Sequence, residues 1–172
     1  MDSINIKPID LSDIVQLQTI GKQTFIETFA EVNAKENMET YLAKEFTTEK
    51  LTEELINPNS RFYFAMLNDK VIGYLKLNFS EAQTELKNNN TLEIERIYVL
   101  KEFHGKQVGQ LLYNQALIIA TQTKAHYVWL GVWEENPRAI SFYKKNGFVE
   151  FDKHIFKLGA DEQTDIMMKL VL

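Results

Sequence analysis

Hydrophobic and polar positions change period along the chain, and each change marks an element. Residues 4–8 alternate apolar and polar, the period of a strand with one buried face, and Pro8 ends the run because proline cannot donate to a ladder. Ser12 follows as the expected N-cap. Ile14, Leu17, Gly21, Thr24, Phe25, Thr28 and Phe29 then recur on one side of a 3.6-residue period, which predicts an amphipathic helix. Met38, Tyr41, Leu42 and Phe46 predict a second helix, and Leu51 with Leu55 a short third one stopped by Asn57 and Pro58. The aromatic and β-branched runs 62–67 and 71–79, separated by Asn68, Asp69 and Lys70, predict a hairpin. Residues 81–90 are polar and read as a loop or a short exposed helix. A strand is expected over 92–100, a long helix around Val108, Leu111, Leu112, Ala116, Ile119 and Ala120, and a strand buried on both faces over the almost unbroken apolar run 127–133. Asn136 and Pro137 open a last helix, Gly147 closes it, and strands follow at 148–158 and 165–171.

This order predicts an α/β (α+β) fold in which one mixed sheet carries helices on both faces, with residues 1–172 forming a single domain. One strand carries a finer signal. Its apolar positions are even at Leu92 and Ile94 and odd at Ile97 and Val99, and side chains alternate strictly along a strand, so a β-bulge is expected near Glu95 and Arg96. Backbone groups released there are free to hydrogen-bond an extended ligand lying beside the strand.

Composition removes several classes of chemistry. The chain has no cysteine, which excludes a disulfide framework, a thiol nucleophile and a zinc–thiolate site. His104, His126 and His154 lack metal-ligand spacing, so no metal is expected. No apolar run is long enough to span a bilayer and no secretory signal is visible, which makes the cytoplasm the expected location and a membrane partner unexpected. A net charge of −5, from 19 Lys and Arg against 24 Asp and Glu, argues against nucleic acid and for a cationic small-molecule substrate. Oligomeric state is not readable.

Two segments carry candidate chemistry. The loop His104-Gly105-Lys106-Gln107-Val108-Gly109-Gln110 runs into the long helix, where amides without internal partners and the helix dipole favour a phosphate. It is neither a P-loop nor a dinucleotide fingerprint, since both glycine patterns are missing. The second segment runs from Trp133 through Glu134, Asn136, Pro137, Arg138, Ala139-Ile140-Ser141-Phe142-Tyr143 and Lys145 to Asn146-Gly147-Phe148. Together with Glu95-Arg96-Ile97-Tyr98-Val99, these segments resemble the two acetyl-CoA motifs of the GNAT acetyltransferases, in the right order and at the right distance. Ile26-Glu27-Thr28-Phe29, Leu130-Gly131-Val132-Trp133-Glu134 and Asp161-Glu162-Gln163-Thr164-Asp165 further resemble the PaiA-type spermidine and spermine acetyltransferases among them.

The resemblance implies a GNAT acyl-CoA N-acyltransferase fold with a mostly antiparallel sheet, acetyl-CoA or CoA as cofactor, and a primary amine, most simply of a polyamine, as acceptor. Ile97, Tyr98 and Val99 are then expected along the pantetheine arm, and His104, Gly105, Lys106, Gln107, Val108, Gly109 and Gln110 around the pyrophosphate. Asn136 and Pro137 belong beside the pantetheine, Arg138 and Lys145 near the phosphates, and Tyr143 at the sulfur. His104 stands where the family has Arg or Gln, which makes charge there pH-dependent, and Gln107 stands where it has Gly, at no cost if the first helical turn needs no special backbone.

Tyrosine suits a departing thiolate. A thiol near 8.5 against a phenol near 10 leaves a transfer cost of about 2 kcal/mol in water, which shrinks when the thiolate is desolvated. The amine has the opposite need. An alkylammonium of pKa about 10.4 is neutral in about one molecule in 2,500 at pH 7, so a base is required, and Glu95 beside the bulge is the candidate with Glu134 second. Glu27, Glu31, Glu36 and Glu39 lie in the helical block expected to build the acceptor site, and Trp133 suits a cationic amine. A protein N-terminal or lysine acetyltransferase, and a non-catalytic acetyl-CoA-binding module, are the alternatives.

Overall fold

The computed structural model describes residues 3–172. The elements are β1 (Ile4–Pro8), α1 (Ile14–Phe29), α2 (Lys35–Glu45), α3 (Thr48–Ile56), β2 (Ser60–Leu67), β3 (Lys70–Phe79), β4 (Thr91–Val99), α4 (Val108–Gln122), β5 (Tyr127–Trp133), α5 (Pro137–Lys145), β6 (Val149–Leu158) and β7 (Asp161–Val171). The strands form one seven-stranded sheet in the order β1-β2-β3-β4-β5-β7-β6, antiparallel throughout except for β4 and β5.

Two sequence expectations are corrected. Ser12 is not the cap. Asp10 accepts from the Ser12 amide, while the Asp13 side chain accepts from the Asp10 amide, so a reciprocal capping box opens a single 3-10 turn ahead of α1. The last strand begins at Asp161, not at residue 165, because Gly159 at φ 61° makes a tight hairpin with β6. Residues 80–90 hold one short 3-10 turn, and Gln83 pins the rest by accepting from Thr91 and from the indole of fully buried Trp129, each at 2.8 Å. Burying an indole of that size contributes about 2–3 kcal/mol, and the bond removes its one polar liability.

The sheet separates two apolar layers. On one side Ile94, Val128, Leu130 and Val132 pack with Leu112, Ala116 and Tyr143 of α4 and α5. On the other, Phe64, Tyr74 and Trp133 pack with Leu17, Phe25, Phe29, Met38 and Leu51 of α1 to α3. The helical block is also fastened to the far hairpin, since Asn37 donates to Asp161 at 2.9 Å and accepts from the Ala160 amide at 3.2 Å, and Gln163 donates to Asn33.

Two features break the sheet where a ligand can use it. Lys76 pairs with Arg96 and Leu77 with Ile94, so Glu95 is the extra residue of a bulge, as the phase change predicts. β4 also pairs with β5 only through Thr91, Leu92 and Glu93, opposite Tyr127, Val128 and Trp129. Beyond that point β4 stays on β3 through Val99 and β5 stays on β7 through Trp133, so the two strands diverge and leave one edge of β4 without a strand partner.

Candidate active site

The divergence opens into a cleft of about 900 Å³, at the upper end of the range for small-molecule sites. Its walls come from both layers. Ile97, Tyr98 and Val99 supply the free edge, and His104, Gly105, Gln107, Val108, Gly109 and Gln110 the loop and the start of α4. Asn136, Arg138, Tyr143 and Lys145 come from α5 and its cap, and Glu27, Glu31 and Trp133 from the opposite side. Lys106, Pro137 and Glu134 lie outside this lining: Lys106 is exposed with its ammonium over the Phe103 ring, Pro137 is the first residue of α5, and Glu134 turns to solvent one residue before Glu135, which does line the cleft. Glu36 and Glu39 are exposed on α2 and also lie outside it.

The two helix starts differ in a way that bears on phosphate binding. α5 is capped by Asn136, whose side chain accepts from the Ala139 amide at 3.2 Å, so this carboxamide is already engaged in the fold. α4 has no side-chain cap, which leaves its first amides unpaired, and a Cβ built on Gly105 or Gly109 would meet nothing within 4 Å. Open space over uncapped amides fits a diphosphate. Gln107, expected to tolerate ordinary helical backbone, instead sits at φ 68° in the left-handed region, a conformation that costs a side-chain-bearing residue roughly 1–2 kcal/mol. His104 is drawn away from charge: burial lowers its pKa and Arg138 adds to that, against a 2.9 Å bond to the Val99 carbonyl. Near neutral pH it therefore fixes the loop to the strand rather than adding a cation.

Glu95 does not have the character of a base. Burial raises its pKa, but Arg96 and Lys76 outweigh burial and hold the carboxyl at about 2. Its Oε1 accepts from Lys76 at 2.8 Å and from Asn78 at 2.7 Å, and its Oε2 lies 3.1 Å from Arg96. Glu54 from α3 closes the set by pairing with both Lys76 at 2.7 Å and Arg96 at 2.8 Å, so two cations meet two anions. A carboxylate whose two oxygens are committed to two cations and an amide is poorly suited to take a proton from an ammonium. The sequence reading missed the network, although a lysine inside the apolar run of β3 is its signal, because such an ammonium needs a buried partner.

Tyr143 projects from α5 with its ring edge-on to Phe142 at 5.5 Å and near Phe148 at 5.7 Å. It is 7 % exposed, lines the cleft, and burial pushes its phenol above the ordinary tyrosine range. Opposite it, Phe29 and Trp133 stand 5.1 Å apart, with Tyr41 and Phe156 completing an aromatic wall. Glu27 sits at the rim and accepts from the Lys101 amide at 3.0 Å, which ties α1 to the loop that precedes α4.

Comparison with known proteins agrees with this geometry. Residues 26–148 match the model of the acetyltransferase (GNAT) family. An uncharacterized N-acetyltransferase of Lactobacillus delbrueckii subsp. lactis is 38% identical over 172 residues, covering 100% of this chain and 99% of that one. The spermidine N(1)-acetyltransferase of Thermoplasma acidophilum is 26% identical over 150 residues, 85% of this chain and 88% of that one. The crystal structure of the PaiA N-acetyltransferase of the same organism in complex with coenzyme A superposes with a TM-score of 0.82 at 24% identity and covers 99% of each chain. The chain belongs to the GNAT acetyltransferase family: it has the GNAT fold and is an N-acetyltransferase that uses acetyl-CoA.

Proposed function

We propose that the chain acetylates a primary amine of a polyamine, with Tyr143 as the general acid. The observation that carries this reading is the two-sided cleft. The free edge of β4, the uncapped start of α4 and the Tyr143 phenol line one part of it, while an aromatic wall with Glu27 and Glu31 lines the other. Likeness to the Thermoplasma spermidine acetyltransferase supports the same acceptor class.

Bound acetyl-CoA supplies an activated acyl carbon and a thiolate leaving group. Ile97 and Val99 present backbone groups to an extended arm, as an edge strand does to a peptide. Gly105, Val108, Gly109 and Gln110 surround the diphosphate position, with Arg138 and Lys145 supplying positive charge around it. Tyr143 keeps its proton because burial disfavours the phenolate, and the same apolar surroundings raise the proton affinity of a thiolate beside it, so transfer from one to the other stays near balance. Trp133 and Phe29 face the alkyl and ammonium parts of the acceptor, while Glu27 and Glu31 attract its remaining positive charges. Glu95 remains within its neutral network with Lys76, Arg96 and Glu54 and frames that half of the cleft.

The test is a thiol-release screen across spermidine, spermine, aminoglycosides and basic peptides. Turnover is expected with the polyamines, and Tyr143→Phe is expected to lower it while CoA binding persists. Release with aminoglycosides or peptides alone would replace the acceptor, and full activity in Tyr143→Phe would remove the phenol from the chemistry.

A further inference from the structure

With Glu95 committed to its cations, the cleft still requires a group that accepts the proton of the incoming ammonium. The β5–β7–β6 side supplies one. Asp165 of β7 lies opposite both Trp133 of β5 and His154 of β6 in register, so the three side chains share the face that carries α1 to α3, and all three line the cleft. His154 does not stay over its own strand. A Cβ placed on Gly131 of β5 would stand 3.1 Å from His154 Cε1 and 3.5 Å from Asp165 Oδ2, so the imidazole reaches across β7 to lie against β5, and only the missing side chain of Gly131 makes the room. Gly131 lies two residues beyond the last residue of β5 that pairs with β4, within the stretch where the strands have diverged.

The two ring nitrogens have different surroundings. His154 Nδ1 is buried without a hydrogen-bond partner, its nearest charged neighbour being Glu85 Oε1 of the 80–90 loop at 3.7 Å. His154 Nε2 faces Asp165 Oδ2 at 3.4 Å. From the elements packed around the ring, the charged groups are thus Asp165 from β7 and Glu85 from the loop; β5 contributes the neutral Gly131, and Asp152 on the same strand is exposed. An ammonium seated between Asp165 and Nε2 would pair with the carboxylate and donate to the ring, so the neutral imidazole then carries its own proton on Nδ1, toward Glu85, and Nε2 is the acceptor. Glu85, beside the nitrogen opposite the acceptor, stands where a carboxylate orients a catalytic histidine.

We propose that His154 is the general base that deprotonates the acceptor amine, and that Asp165 is its positioning residue, holding the ammonium beside Nε2. The proposal rests on the acetyl-transfer reading above and deepens it. The ammonium first gives one proton to His154 Nε2, directly or through one water, and His154 later releases it to solvent. The freed nitrogen forms the C–N bond, the C–S bond breaks, and the second nitrogen proton replaces the one that Tyr143 delivers to the thiolate. The sum is acetylamide, free CoA thiol and one proton in solution.

Two measurements test this, one of which is independent of turnover. In the wild-type protein with CoA bound, ¹⁵N resonances of His154, assigned by comparison with His154→Gln against His104 and His126, are expected to move when spermidine is added, and in Asp165→Asn the movement is lost. In the thiol-release assay at saturating acetyl-CoA, His154→Gln is expected to lower kcat about 10²-fold, the scale of one general base. It should also flatten the acid side of the kcat/KM profile for the amine while leaving the Kd for CoA unchanged. An unmoved His154 resonance, or an unchanged profile in His154→Gln with an amine the wild type acetylates, overturns the base assignment and leaves the acetyltransferase reading standing. If the screen returns an amine other than a polyamine, the polyamine reading falls and the same two readouts on that amine decide the histidine. The proposal is overturned as well if no amine supports turnover and spermidine leaves the resonance in place.

Discussion

Glu95 and Asp165 line the same cleft from opposite sides, and the fold moves them in opposite directions. Both are largely buried. On the β3–β4 side, Lys76 and Arg96 overcome the burial of Glu95 and hold it near 2, with Asn78 adding a further bond. On the β7 side, burial dominates and raises Asp165, with only His154 opposing it. The difference shows how one cleft holds a carboxylate firmly ionised on one wall and less firmly on the other: the committed cations outweigh depth. A sequence shows two carboxylates and nothing of their neighbours.

The largest expected effect comes from removing a cation on the committed side. Lys76→Met leaves Glu54 and Glu95 sharing Arg96 alone and should cost about 3–5 kcal/mol by urea denaturation, the scale of a broken buried pair; a loss under about 1 kcal/mol would mean that the network is hydrated and the contrast false. Next in size, Tyr143→Phe should reduce kcat about 10²-fold at unchanged CoA affinity, since it removes one proton donor and only one oxygen atom. The acid limb of stability sharpens the comparison further. Because Glu95 is lowered from 4.5 to about 2 in the folded chain, what it adds to stability is complete above about pH 4.5 and is lost as pH falls toward about 2. Asp165, raised from 3.8, has the opposite sign: its protonated form is the one that folding favours, so the stability it adds is present at low pH and is lost as pH rises through its folded-state value. Asp165→Asn should therefore shift stability at pH 7 by less than about 1 kcal/mol, and a loss as large as that of Lys76→Met would erase the distinction. The smallest effect lies at the phosphate end, where Gln107→Gly relieves roughly 1–2 kcal/mol of backbone strain against roughly 0.5–1 kcal/mol of added chain entropy, for a net gain of about 0.5 kcal/mol by the same assay.

Much of this architecture is legible from period alone. The even-to-odd switch between Ile94 and Ile97 points to the bulge because side chains alternate along a strand, and the unbroken run 127–133 marks a strand covered on both faces. The helix start at Asn136-Pro137 is likewise readable, since the cap chemistry is local. What escapes the sequence is set by distant partners. Ser12 looks like a cap as readily as Asp10, and only the reciprocal bond from Asp10 to Asp13 chooses between them. Glu95 has the spacing of a base, but Lys76 and Glu54 come from other strands and helices. His154 appears as an isolated residue, because the register that brings it to Asp165 and Gly131 depends on a hairpin closing at Gly159. Gln107 is illegible for another reason: a glutamine gives no sign that its backbone is left-handed.

The tie between Asn37 and the β6–β7 turn reaches further than its two bonds. A Cβ on Gly159 would fall 2.5 Å from Asn37 Oδ1, so this joint tolerates no thicker residue. The helices α1 and α2 and the ribbon bearing His154 are thereby riveted into a single jaw. A Gly159→Ala lesion would be felt as a changed gape of the cleft some distance from the joint itself.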